Sequence, residues 1–216
     1  MNESRLMVNE LFMSIQGESS HAGIPCIFIR LTGCNLRCTY CDTTYAYDKG
    51  VEMSLQTIEE KIEAFHCKNI CITGGEPLLQ NNIKELIRVL LHLKYKVFVE
   101  TNGSVNISLL PKNVIRVMDI KCPDSHMHGE MDWDNIERLR PNDDVKFVIS
   151  TKDDYEWAKQ ITITYNLTSK SNVLFGVVYG TLEPRILAEF ILRDKLDVRF
   201  QLQLHKYIWP NKTRGV

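Results

Sequence analysis

What the chain lacks narrows it first. No apolar run reaches the roughly 18 residues that a membrane-spanning helix needs, and no apolar stretch of signal-peptide type follows Met1-Asn2-Glu3-Ser4-Arg5. Charge of one sign is missing too. The 26 Lys+Arg and 27 Asp+Glu leave a net −1, too weak a field to gather nucleic acid or an anionic membrane. There is no internal repeat and no low-complexity segment. Nor are the cysteines those of a secreted disulfide scaffold: there are seven, an odd number, and three of them are clustered. That usage fits a reducing, cytoplasmic setting. Cys26, Cys67 and Cys71 sit in or beside apolar patterns and read as buried small hydrophobes.

The cluster is Cys34-Asn35-Leu36-Arg37-Cys38-Thr39-Tyr40-Cys41, directly after the apolar segment Cys26-Ile27-Phe28-Ile29-Arg30-Leu31. Thiolates in that number favour zinc or iron–sulfur. Structural zinc takes four protein ligands, and so does an ordinary electron-transfer 4Fe-4S cluster. A run with three and no fourth points to a cubane with one iron left for a ligand that is not protein. A second motif, Thr73-Gly74-Gly75-Glu76-Pro77, follows the apolar strand Asn69-Ile70-Cys71-Ile72. Its glycines permit close backbone approach, and its glutamate offers an anion for an ammonium group.

The 216 residues, 44% hydrophobic, are expected to form one domain, 1–216. Extended segments are expected over Val8 to Ile15, Cys26 to Leu31, Asn69 to Ile72, Lys96 to Thr101, Val114 to Ile120, Val145 to Ile149, Val173 to Val178 and Val198 to Leu204. Helical spacing marks Ser54 to Phe65, Ile83 to Leu90, Asp153 to Gln160 and Pro184 to Leu192, with a weak helix at Trp133 to Leu139. Strand–helix alternation predicts an α/β fold with a parallel sheet and outer helices. About six or seven strands are too few for a closed eight-stranded barrel, so an open partial (β/α) barrel is expected. Its ligand site belongs at the carboxyl ends of the strands. There the sequence places the cysteine loop, Gly74-Gly75-Glu76, Thr101-Asn102-Gly103, Lys121, Tyr179 and His205. Arg30, inside an otherwise apolar strand, needs a partner. It reads either as half of a salt bridge with Glu10 or Glu18, or as a carboxylate-binding fork.

The cysteine run and the Gly-Gly-Glu-Pro motif together resemble the radical S-adenosylmethionine (SAM) superfamily. Within it, Glu10-Leu11-Phe12-Met13-Ser14-Ile15-Gln16-Gly17-Glu18, the run from Phe28 to Thr43, Glu100-Thr101-Asn102-Gly103, Asp119-Ile120-Lys121-Cys122-Pro123 and Gln203-Leu204-His205-Lys206 resemble the 7-carboxy-7-deazaguanine synthases, over nearly the whole chain. Ser19 stands where that family usually has glycine, and Tyr40 where tryptophan is common. Phe175-Gly176-Val177-Val178-Tyr179-Gly180 matches poorly.

The resemblance implies conversion of 6-carboxy-5,6,7,8-tetrahydropterin to 7-carboxy-7-deazaguanine with loss of ammonia, in the making of queuosine and related deazapurines. It implies a 4Fe-4S cluster on Cys34, Cys38 and Cys41, reduced by a flavodoxin or ferredoxin, and reductive cleavage of SAM. It implies Mg²⁺ on Thr43 with support from Asp42, and a homodimer. SAM would be held by Gly74, Gly75, Glu76, Gly103, Lys121, Cys122, Pro123, Val178 and Tyr179. Substrate would meet Ile15, Gln16, Gly17, Glu18, Arg30, Thr101 and His205, with Arg30 on its carboxylate. No side chain is assigned as acid or base.

Two other readings stand beside this one. A glycyl-radical activase of the same superfamily shares the cysteine spacing but not Ser14 to Glu18 or His205-Lys206. A non-enzymatic zinc- or cluster-binding module would require a fourth protein ligand, with Cys122 or His66 the candidates. Metal and sulfide analysis of anaerobically purified protein separates the classes. Iron with acid-labile sulfide is expected, and stoichiometric zinc without sulfide would remove the enzyme reading.

Overall fold

The structure is a computed structural model of the chain and describes residues 4–216. Its described residues build a sheet of nine strands in the order β3-β1-β2-β4-β5-β6-β7-β8-β9. These are β1 (Arg5–Ile15), β2 (Pro25–Leu31), β3 (Val51–Ser54), β4 (Asn69–Gly74), β5 (Lys96–Thr101), β6 (Ile115–Asp119), β7 (Asp144–Ile149), β8 (Asn172–Val177) and β9 (Arg199–Gln201). From β2 through β9 every neighbouring pair is parallel. β1 runs antiparallel to both β2 and β3. The sheet does not close, since β3 and β9 are its two edges. The expected open α/β barrel is therefore found, with seven strands in its parallel run. No helix among the described residues is long and apolar enough to cross a membrane.

The helices are α1 (Leu55–Glu63), α2 (Ile83–His92), α3 (Lys152–Thr164), α4 (Pro184–Asp194) and the short α5 (Leu204–Ile208). Local chemistry sets their starts. The Ser54 hydroxyl caps α1 by accepting from the amide of Thr57, and Thr151 caps α3 through the amide of Asp154. Pro184 opens α4, where a missing N–H costs nothing.

Period-two alternation sorts the strand residues between two faces. Ile27, Ile29, Ile72, Val99 and Phe147 join Ile58, Leu86, Leu90 and Leu187 of the helices in the main core. On the opposite face Cys26, Phe28, Cys71 and Phe98 form a small apolar floor. Cys26 and Cys71 are completely buried, as expected, whereas Cys67 is only half-buried. Continuing along the inner face toward the strand ends, the residues become Arg30, Thr73, Glu100, Asp119 and Lys146. The same alternation that buries one side in hydrocarbon lines the other with charge.

Three expectations need correction. Val51–Ser54 is a strand that was not foreseen. It is a four-residue edge piece with too little alternation to stand out, held by pairing with Arg5 to Val8. Trp133–Arg138 is a 3-10 helix rather than an α-helix. The last strand is only Arg199–Gln201. The chain then leaves the sheet, because the amide of Leu204 donates to the carbonyl of Gly17 at 3.0 Å and α5 begins. His205 consequently stands on a helix and not at a strand end.

Candidate active site

The cysteine loop leaves the carboxyl end of β2 and is fixed from the end of β4. The amide of Gly75 donates to the carbonyl of Leu31 at 3.2 Å, and the amide of Glu76 to that of Gly33 at 2.7 Å. A Cβ on Gly75 would lie 2.1 Å from the Gly33 oxygen and 2.7 Å from Cβ of Cys34. The glycine is thus required by the loop that carries the first thiol, which joins the two motifs physically.

Above the strand ends opens a cavity of about 320 Å³. Of the residues singled out by sequence, it is lined by Ile15, Gln16, Gly17, Glu18, Arg30, Cys34, Cys38, Cys41, Thr43, Gly74, Gly75, Thr101, Lys121, Val178, Tyr179 and His205. Four others stand off it. Glu76 is completely buried, and its carboxylate accepts from the Thr101 hydroxyl (3.0 and 2.9 Å), the Asn102 amide (2.6 Å) and the Leu78 amide (3.0 Å). Burial raises its pKa to about 6. It organises the turn after β5, where the Thr101 hydroxyl donates to it. Gly103 faces Met131, whose methyl a Cβ would approach to 2.3 Å. Cys122 is completely buried, and burial pushes its thiol well up. Pro123 opens a turn fastened by the Asp124 amide to Asp154 (3.0 Å).

The donor set fits a cluster held at three points. All seven cysteines are free, and three of them line the cavity. Neither fourth-ligand candidate is available. Cys122 is sealed in the interior, and the exposed His66 precedes β4, at the opposite end of the sheet from the cysteine loop. Among the described residues no three His, Cys, Asp or Glu side chains gather as they would around one ion. Backbone Leu36 donates to the sulfur of Cys34 at 3.4 Å. Burial pushes the thiols of Cys34 and Cys38 up, so binding a cationic centre is coupled to release of their protons.

Around the cavity wall runs a network of buried charge. Lys146 donates to Glu18 at 2.6 Å and lies 3.4 Å from Asp119, while Lys121 donates to the same Asp119 oxygen at 2.9 Å. Gln203 donates to the other oxygen of Glu18 at 2.9 Å. Burial alone would raise the carboxyl groups of Glu18 and Asp119, but these lysines outweigh it and hold both below the usual range. The second oxygen of Asp119, Oδ1, is buried with no partner among the described residues. An orphaned acceptor is costly unless a ligand satisfies it. With Lys121 beside it, the pair offers an acceptor and a cation, which suits a zwitterionic amino acid such as the methionine moiety of SAM.

Sequence reading missed Lys146, Asp119 and Glu100 as site residues. The available signal was the one used for Arg30: a charged residue at an inward position of an otherwise apolar parallel strand. Of Arg30's two readings the structure shows the salt bridge. Nε of Arg30 donates to Glu10 at 2.7 Å, and the residue also lines the cavity. A Cβ on Gly17 would come within 2.3 Å of Nδ1 of His205, so only glycine lets α5 close there. Ser19 has φ 70, in the left-handed region where glycine is favoured. It is held there by Gln201 donating to its carbonyl (2.9 Å) and by its hydroxyl accepting from the His21 amide (3.1 Å). Tyr40 donates to the carbonyl of Val148 at 3.3 Å.

Comparison with known proteins agrees with this site. The Radical SAM superfamily model matches residues 28–161. The 7-carboxy-7-deazaguanine synthase of Chlorobaculum tepidum is 43% identical over 99% of both chains. That of Koribacter versatilis is 41% identical over 98% of this chain and 100% of its own. The chain belongs to the 7-carboxy-7-deazaguanine synthase family of radical SAM enzymes. Membership brings a 4Fe-4S cluster and SAM as cofactors. The crystal structure of QueE from Escherichia coli shares the fold, with a TM-score of 0.77 over 92% of this chain and 94% of that one, at 21% identity. The resemblance implies a SAM contact for Glu76; in the structure of this 7-carboxy-7-deazaguanine synthase family member that carboxylate is enclosed by protein donors. Replacing Glu76 by Gln turns an amide N–H against those donors. The expected result is a loss of about 1–3 kcal/mol in the thermal stability of the cofactor-free chain. A direct ligand role would instead lower SAM affinity and leave the melting temperature unchanged.

Proposed function

We propose that the chain converts 6-carboxy-5,6,7,8-tetrahydropterin to 7-carboxy-7-deazaguanine with loss of ammonia, a carbon–nitrogen lyase step of queuosine-type deazapurine biosynthesis. The observation that carries this reading is one cavity bordered by a three-thiol loop, an orphaned buried carboxylate oxygen and a cavity-facing arginine. Cys34, Cys38 and Cys41 would hold the 4Fe-4S cluster at three irons. When bound, the reduced cluster supplies the electron that cleaves SAM to a carbon radical able to take hydrogen from carbon six of the pterin.

The remaining work falls to the protein. Lys121 would pair with the SAM carboxylate, and Asp119 Oδ1 would accept from an N–H of its amino group. Arg30 binds the pterin carboxylate with the two terminal nitrogens that Glu10 does not use. Glu18, ionised beside Lys146, accepts pterin N–H groups. His205 is kept neutral by burial, which lowers its pKa, and closes the same end over Gly17. Asp42 stays ionised down to about 2, because Lys206 at 2.9 Å outweighs the burial that would raise it. It accepts from the Thr43 hydroxyl at 2.9 Å. Asp42 thereby supports the Thr43 hydroxyl, which with the substrate carboxylate would hold Mg²⁺, a hard cation that keeps its waters and uses few protein ligands. The apolar floor of Cys26, Phe28, Cys71 and Phe98 excludes water beneath the reacting groups. Holding radical and C–H bond at near-attack distance is the main catalytic contribution. An electron donor of flavodoxin or ferredoxin type, a homodimer and a cytoplasmic setting belong to the same reading, the last supported by seven free thiols.

Reduced, anaerobically reconstituted protein is expected to turn carboxytetrahydropterin into deazaguanine and ammonia with SAM in catalytic amount. Formation of uncoupled 5′-deoxyadenosine alone, with no deazaguanine, would refute the substrate assignment.

A further inference from the structure

β1 carries a bulge: its register against β2 shifts between Val8 and Glu10. Leu6 and Val8 belong to the main core, whereas Phe12 packs on the inner floor. Without the shift, Glu10 would share the outer face with Leu6 and Val8. A bulge re-aims the side chains that follow it, and here it turns Glu10 to the cavity side.

Each oxygen of that carboxylate has its own duty. Oε1 accepts from Nε of Arg30 at 2.7 Å and from the hydroxyl of Tyr45 at 2.9 Å. The Arg30 guanidinium lies 5.9 Å from both the Phe12 and the Tyr45 ring centres. Its terminal nitrogens have no partner among the described residues. Oε2 accepts from the amide of Gly215 at 3.3 Å and lies 3.5 Å from Nε of Arg214. The Arg214 guanidinium also lies over the Tyr45 ring, 4.7 Å from its centre, and donates to the Asn9 side chain at 3.1 Å. Lys212, Thr213 and Val216 of the same segment line the cavity.

We infer that Glu10 is a positioning residue. Through Oε1 it turns the free edge of Arg30 toward a ligand carboxylate, and through Oε2 it fastens residues 212–216 across the mouth of the cavity. Arg30's orientation and closure of the segment are therefore coupled through one side chain. The inference rests on the reading that Arg30 takes the substrate carboxylate. An arginine tethered at Nε retains both terminal nitrogens for bidentate pairing, and a tether reduces the conformational freedom lost on binding.

The test uses the full chain without cofactors and two fluorescent probes, 6-carboxypterin and pterin, which lacks the carboxylate. The unaltered chain is expected to bind 6-carboxypterin about tenfold more tightly than pterin, and the ligand should slow tryptic cleavage after Lys212. Glu10→Ala should abolish the preference while pterin affinity stays within about twofold, and cleavage should be fast with or without ligand. Glu10→Gln, which keeps an acceptor for Nε, should recover part of the preference. Arg214→Ala frees only the segment, so cleavage should quicken and the preference should fall a few-fold. A Glu10→Ala chain that keeps the preference overturns the inference, as does one that loses affinity for both probes equally. Unchanged cleavage and preference in Arg214→Ala overturn the coupling even if Glu10→Ala does not fold. If the unaltered chain itself shows no preference, the carboxylate reading of Arg30 falls first and the inference falls with it.

Discussion

Three sulfurs reach the cavity from one short loop, and among the described residues no fourth cysteine lines it. The rest of the site is arranged around that deficit. Cys34 is placed by backbone bonds from Gly75 and Glu76 to Gly33 and Leu31, so the second motif acts first on the loop and only then on any ligand. Cys122 is near in sequence to the site residues yet is enclosed in hydrocarbon. Burial of Cys122 keeps a fourth thiol out of the cavity.

The sheet explains why charge can surround such a centre without unfolding the chain. Outward residues of the parallel strands pack against helices and supply the hydrophobic stabilisation. Inward residues are apolar at the floor and ionic at the rim, where Glu18, Asp119, Lys121 and Lys146 satisfy one another. Buried charges are tolerated only when paired in this way. Balanced pairing leaves little net field, and of the three buried polar atoms without a partner among the described residues, Ser14 Oγ, Asp119 Oδ1 and Gln201 Oε1, Asp119 belongs to this network.

Much of this was legible in the sequence because the signals are local. Cysteine spacing, a glycine pair after an apolar run and strand–helix alternation gave the architecture and placed the site at the strand ends. Arg30 was visible as a charge inside an apolar strand. The losses came where the determining contact is distant. Glu76 looks free in sequence, but its donors come from residues 101 and 102. The run after Gln201 continues in strand-like pattern, yet the carbonyl of Gly17 draws it into a helix. Val51–Ser54 is a strand only because Arg5 to Val8 pairs with it. The bulge that turns Glu10 inward has no signature in the residue types around it.

The most direct test of the vacant corner is electron–nuclear double resonance on the reduced, reconstituted protein with SAM carrying ¹⁵N in its amino group. A strong ¹⁵N coupling to the cluster, matched by an ¹⁷O coupling from labelled carboxylate, is the predicted result. A cluster that shows neither coupling, and instead carries a fourth cysteine or a histidine nitrogen from the chain, would contradict the account.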